Sequence, residues 1–284
     1  MELGMTYIDN GLFSEATLQF SQALNYQTDN LDLPFFSSFF PSDSIFRQNM
    51  IKTFSFQVDN DSSGAGYFFQ ALFHQSGGQA YDNIRKYIQC SPMDIRGHLF
   101  YSNLYFNESK WMDALFQYQQ TLWLDSLNID ARMGSALSLL ALGEYEDAMK
   151  EFKKVIIINP YKHDAFYHLG LAQIAVENYN SAIQNFTQSL LLDPNNSDIY
   201  YHLGKAYFKN GKIIQAREAF TRTISLEPQH GSAFYYQGII NENIMELDDA
   251  ILAYSRAQEY SPEIEDVHYR LGMLLFQTGE LKAA

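Results

Sequence analysis

Alanine stands at Ala80, Ala114, Ala148, Ala182, Ala216, Ala250 and Ala284, seven times at a spacing of 34 residues. If alanine filled roughly a twelfth of positions at random, that coincidence would arise about once in ten million chains. Other columns keep the same phase. Proline recurs at Pro92, Pro160, Pro194, Pro228 and Pro262, with Ser126 in the missing slot. Ile84, Tyr118, Phe152, Phe186, Phe220 and Tyr254 each follow one of the alanines by four residues. Gly170, Gly204, Gly238 and Gly272 make a further column. A chain with so strict an internal period builds identical modules and stacks them, each burying its apolar face on the next.

The residue types say what the modules are. Apolar positions on either side of the polar turns Leu142-Gly143-Glu144-Tyr145 and Asn210-Gly211-Lys212 follow a helical rather than an alternating period. Each module is therefore a pair of helices. Glycine in the first helix, where alanine is preferred, lets a neighbour approach closely. The alanine does the same on the second helix, and the large side chain one turn later fills the space between pairs. Proline after Asp193, Glu227 or Ser261 stops the second helix.

Charge narrows the partners. The 284 residues carry a net charge of −14, with 22 Phe and 20 Tyr. Nucleic acid and anionic membrane surfaces are repelled at long range by such a chain. Basic or neutral proteins and peptides fit better. The single cysteine, Cys90, excludes an intrachain disulfide framework and a cysteine-rich zinc site. No run of about 18 to 20 apolar residues is present to insert in a membrane.

A 34-residue period with Leu-Gly, an aromatic, Ala, an aromatic and Pro resembles the tetratricopeptide repeat. Phe166-Tyr167-His168-Leu169-Gly170 with Ala182, Phe186 and Pro194 matches closely, as does Tyr200-Tyr201-His202-Leu203-Gly204-Lys205-Ala206-Tyr207 with Ala216, Phe220 and Pro228. The resemblance implies an all-α, right-handed superhelical solenoid of antiparallel helix pairs. Units are expected at 61–94, 95–128, 129–162, 163–196, 197–230 and 231–264, with a partial one at 265–284. Leu3-Gly4, Tyr7, Ala16, Phe20 and Ala23-Leu24 repeat the pattern out of phase, which makes 1–28 a partial unit. Residues 29–60 then hold a shortened repeat or an insertion. Pro34 and Pro41 oppose a first helix there, and Ser42-Asp43 suits the cap of one helix over 44–56. The aromatic run Leu33-Pro34-Phe35-Phe36-Ser37-Ser38-Phe39-Phe40-Pro41 either plugs a groove, docks a partner or buries its rings beside the first unit. The chain is expected to be a piece of a longer protein, with Leu271, Leu274 and Leu275 lacking a partner helix.

Chemistry is hard to find. There is no His-Glu-x-x-His, no Cys-x-x-Cys and no phosphate-binding glycine loop. His168 and His202 occupy equivalent positions, but no third metal ligand is evident; they read as surface polar residues, and no cofactor or catalytic role is expected. Asp130, Asp164, Asp198 and Asp266 recur just before each first helix. Helix capping explains them better than a carboxylate ladder does.

The resemblance implies that first helices line a concave groove and supply its contacts. Fifth positions are then Tyr167, Tyr201, Tyr235 and Tyr269; sixth positions are His168, His202, Tyr236 and Arg270; Lys205, Phe208 and Lys209 follow. Tyrosine offers contact area, a polar tip and few rotors for binding, although it equally serves packing between repeats. The lysine and asparagine clamp by which co-chaperone members grip a C-terminal carboxylate is missing from the equivalent slots, and the sixth-position asparagines of sugar-transferase members are replaced. The expected function is a protein-interaction scaffold holding a partner segment in that groove. The alternatives are the substrate-recruiting arm of a larger enzyme, such as a glycosyltransferase, and a self-assembly module acting through its last helix.

Overall fold

The computed structural model describes residues 64–74 and 77–279. Among these residues there are thirteen α-helices and no strand. They fall into two compact units that divide between Leu142 and Gly143. Unit 1 holds α1 (Ala65–His74), α2 (Gly78–Cys90), α3 (Ile95–Asn107), α4 (Trp111–Leu124) and α5 (Ile129–Ala141). Unit 2 holds α6 (Tyr145–Ile158), α7 (His163–Ala175), α8 (Tyr179–Leu192), α9 (Ser197–Lys209), α10 (Ile213–Leu226), α11 (Gly231–Asn243), α12 (Leu247–Tyr260) and α13 (Glu265–Thr278). The expected partial unit at 1–28, the 29–60 segment with its helix over 44–56, and Ala284 lie outside the described residues.

Within each unit, successive helices pack in pairs and each pair packs on the next. The columns read from the sequence supply the core. Ala80, Ala114, Ala148, Ala182, Ala216 and Ala250 are all 0% exposed. In unit 2, Ala182, Ile183 and Phe186 of α8 form one cluster with Ile199, Leu203 and Ala206 of α9. Burying a side chain the size of Phe186 contributes about 2–3 kcal/mol. A third column completes the second helices: Thr121, Val155, Ser189, Thr223 and Ala257 are fully buried at the same interval. Their hydroxyls are satisfied by backbone carbonyls, Ser189 donating to His163 and Thr223 to Ala219. A buried hydroxyl left unbonded would cost about 1–3 kcal/mol.

The glycine column works by admitting a ring. A methyl carbon built on Gly170 would lie 2.7 Å from the Phe186 ring, on Gly204 2.7 Å from Phe220, and on Gly238 2.5 Å from Tyr254. Each ring thus sits against the backbone of its own first helix.

The turns share one construction. Ser109, Glu177, Gly211 and Met245 have φ of 58°, 59°, 75° and 64°. At each, two backbone bonds close the helix end: Glu177 N–H donates to Ile174 and Asn178 N–H to Gln173, with the same pair of bonds at Gly211–Lys212 and Met245–Glu246. This is the Schellman closure, which favours glycine at the left-handed residue. After α6 the capping residue Asn159 (φ −134°, ψ 93°) turns to extended backbone, as the following Pro160 requires.

Two expectations need correction. The recurrent aspartates do not cap: Asp130, Asp164, Asp198 and Asp266 sit inside the first turn, where a negative charge favours the positive helix end. The caps stand two residues earlier, at Asp94, Asn128, Asn196 and His230, whose side chains accept a backbone N–H. Leu271, Leu274 and Leu275 do not lack cover either. They are buried with Ala250, Tyr254 and Ala257 of α12. The open side of α13 is another face, with Tyr269 68%, Met273 52% and Phe276 66% exposed. Among the described residues nothing lies within 4 Å of a methyl carbon built on Gly272, which is that side's glycine.

Candidate functional site

The candidate site is the wall made by the first helices of unit 2, α7, α9, α11 and α13. Its fifth-position tyrosines both pack and face outward. Tyr167 lies 6.0 Å from the Phe186 ring and 5.7 Å from His202. Tyr201 lies 6.1 Å from Phe220, 4.6 Å from His230 and 6.2 Å from Tyr236. Tyr235 lies 6.2 Å from Tyr254, and its hydroxyl donates to Asp266 Oδ2 at 2.6 Å. All three are half-buried, while Tyr269 is mostly exposed. Burial holds the phenols of Tyr167 and Tyr201 up at about 12, so both remain neutral donors at any ordinary pH. In unit 1 the equivalent slots hold Leu99 and Met133, so the tyrosine file belongs to unit 2.

The sixth-position side chains turn inward. His168 stacks on Phe152 at 5.8 Å, His202 on Phe186 at 6.2 Å and Tyr236 on Phe220 at 5.0 Å, with interplanar angles of 14°, 26° and 6°. Each is half-buried, which corrects the reading of His168 and His202 as surface polar residues. The Phe186 and Phe220 rings have Gly170 and Gly204 of their own pairs on one side and leave their other faces for the next pair, where His202 and Tyr236 cover them. Burial lowers the pKa of His168. His202 falls to about 4, through burial first and then Lys205, His230 and His168. Both imidazoles are neutral near pH 7. Among the described residues no group of three His, Cys, Asp or Glu side chains comes together to hold a metal ion.

Arg270 occupies the same slot on α13 and closes a network instead of stacking. It donates to Asp266 Oδ2 and, at 2.9 Å, to Glu242 Oε2, which also accepts from the Tyr254 hydroxyl at 2.7 Å. Asp266 is held below the usual carboxylate range by the Tyr235 hydroxyl and then by Arg270. This end of the wall is saturated with internal bonds. Spacing carries no signal of it, because the five groups come from three different helices.

α9 differs. Tyr201, Lys205 and Lys209 recur every four residues along one face, and Lys205 Nζ stands 5.4 Å from the centre of the Tyr201 ring. Lys205 is half-buried and Lys209 exposed.

The "Tetratricopeptide repeat" family model matches residues 102–163, 201–264 and 245–284, more than half of the chain, and a "TPR repeat" model matches 174–211. The chain belongs to the tetratricopeptide repeat family. Solved tetratricopeptide structures agree on the fold. PilF of Pseudomonas aeruginosa superposes with a TM-score of 0.60 at 17% identity, over 80% of this chain and 99% of that one. YrrB, a TPR protein described as having an unusual peptide-binding site, gives 0.56 at 22% identity, over 70% and 98%. MamA gives 0.54 at 24%, over 57% and 95%. At these identities the likeness carries the fold alone. No curated protein matches the sequence of this tetratricopeptide repeat chain, and no helix among its described residues is long and apolar enough to cross a membrane.

Proposed function

We propose that this tetratricopeptide repeat chain is a protein-interaction scaffold, and that the α7–α9–α11–α13 wall receives an extended or helical segment of another protein. The observation that carries this reading is the file Tyr167, Tyr201, Tyr235 and Tyr269 at equivalent positions on four successive first helices. Half-buried tyrosines are held in place by the rings behind them, so little rotamer freedom remains to be lost on binding. The peptide-binding site named for YrrB lends support from the same fold.

The test is a peptide selected by the chain from a displayed random dodecamer library, with its affinity measured by fluorescence anisotropy. Tyr201→Ala with Tyr235→Ala weakens that peptide about tenfold or more, as loss of central aromatic contacts does. The pair also lowers stability by about 1–3 kcal/mol, since Tyr201 touches Phe220 and His230. Helicity at 222 nm is unchanged below the urea transition. Unaltered affinity in a double variant that keeps its helicity defeats the reading.

A further inference from the structure

We infer that the Lys205–Lys209 end of the α9 face takes carboxylates, so that the partner segment is an acidic peptide with apolar residues between its charges. The inference rests on the groove reading above and names the chemistry of its ligand. The other cations of unit 2 are mostly spoken for: Lys150 pairs with Asp147, Lys154 with Glu151, Lys162 with Asp164, Arg217 with Glu246, Arg256 with Glu259, and Arg270 with Glu242 and Asp266. Lys205 and Lys209 form no ion pair among the described residues, although the chain carries 33 Asp and Glu against 19 Lys and Arg.

Among the described residues, the neighbouring first helices set no carboxylate opposite the two lysines. At the positions equivalent to Lys205 and Lys209, α7 has Leu171 and Ala175, and α11 has Ile239 and Asn243. The carboxylates of the neighbouring first helices are engaged: Glu242 by Arg270 and Tyr254, Asp266 by Arg270 and Tyr235. Asp164 lies in the first turn of α7 beside Lys162 and His163. Asp198, in the first turn of α9, is seven residues before Lys205, about 10 Å along the helix. His202 is kept neutral by burial, and His230 Nδ1 accepts the Ala233 N–H. Among the described residues, Lys205 and Lys209 are therefore the Lys or Arg side chains that this stretch of wall offers.

Two ammonium groups one helical turn apart, one of them half-buried, repel each other; burial and then Lys209 depress the pKa of Lys205. A carboxylate between them removes both penalties at once. Beside them Tyr201, Phe208, Leu171 and Ile239 present partly buried apolar surface, which suits apolar side chains alternating with the acids. Nucleic acid is a poorer fit, because two cations neutralise few phosphates against a net charge of −14.

The experiment compares three labelled decapeptides in which Leu alternates with Glu, Gln or Lys, using the full chain and fluorescence anisotropy. The expected order is Glu tightest, by about tenfold over Gln, with Lys weakest. Lys205→Glu with Lys209→Glu inverts it, and Lys205→Gln with Lys209→Gln brings the Glu and Gln peptides within about twofold. Equal binding of the Glu and Gln peptides by the native chain overturns the inference, as does a Glu preference that survives in the folded glutamine variant, or tighter binding of a labelled oligo-dT than of any peptide. Tyr201→Ala separates the two levels. If it weakens the Glu and Gln peptides alike while native binding ignores charge, the groove stands and the acidic ligand falls. If it weakens neither, the groove falls and the ligand with it.

Discussion

Gly204 and Gly272 hold the same place on first helices two repeats apart but meet different neighbours, and substitution separates packing from helix propensity. At Gly204 an added methyl meets the Phe220 ring at 2.7 Å. Overpacking of that kind costs about 1–3 kcal/mol, more than the ~1 kcal/mol that alanine contributes to a helix. At Gly272 no described residue lies within 4 Å, so only the helix gain remains. Gly204→Ala therefore lowers the urea midpoint and Gly272→Ala raises it; two shifts of the same sign contradict the ring-seat account. Glu177 and Met245 make the opposite case. Their φ values of 59° and 64° are left-handed without being glycine. Replacing either by glycine relieves about 1–2 kcal/mol of backbone strain, offset in part by glycine's greater freedom when unfolded. A net gain of about 0.5–1 kcal/mol per site is expected in the same urea titration.

Between pairs of helices, the stack of a second-helix ring on the next sixth-position side chain couples neighbours and makes stability sensitive to acid. His202 on Phe186 titrates near 4 when folded, below its ordinary 6.5. Above pH 6.5 the imidazole is neutral folded or unfolded, and its stabilising share is complete. As pH falls from 6.5 towards 4, the unfolded chain takes the proton first and that share drains away, about 3 kcal/mol in all. His168 adds a loss of the same sign. His202→Phe, which keeps a flat ring on Phe186, flattens the fall in urea midpoint between pH 6.5 and 4; an unchanged acid limb removes His202 as its cause. Spacing could not reveal this contact. Ala182, Phe186, Gly204 and Pro194 declare themselves because size and backbone rules bind them to one interval, and the helix pairs follow. Which side of a first helix meets its neighbour depends on how two pairs nest, so His168 and His202 looked like surface residues. The caps at Asn128 and Asn196 were missed for a related reason: helix ends read from sequence drift by two residues, and aspartate suits both slots. Glu177 and Met245 carry no glycine to announce their turns. Tyr167, Tyr201 and Tyr235 were legible as a file, but their double use, packing behind and open in front, needed the rings around them.

For the whole molecule, charge acts at two ranges that oppose each other. A net charge of −14 repels an acidic peptide at a distance, whereas Lys205 and Lys209 attract it on contact. Raising salt from about 0.01 to 0.1 M shortens the screening length from about 30 to about 10 Å. The distant repulsion fades before the contact does, so the association rate of the alternating Glu–Leu peptide rises several-fold, while that of its Gln counterpart stays level. Stopped-flow anisotropy reads both, and a rate that falls with salt means that the local field already dominates at long range. The Schellman corners carry a consequence of another kind. The amides of Lys110, Asn178, Lys212 and Glu246 lie at outer bends of the chain, yet each is bonded to a carbonyl of the preceding helix. They exchange hydrogen for deuterium only when that bend uncoils. Each of these four pairs therefore carries its own clock for opening, and mass spectrometry of unlabelled protein can report which hairpin lets go first.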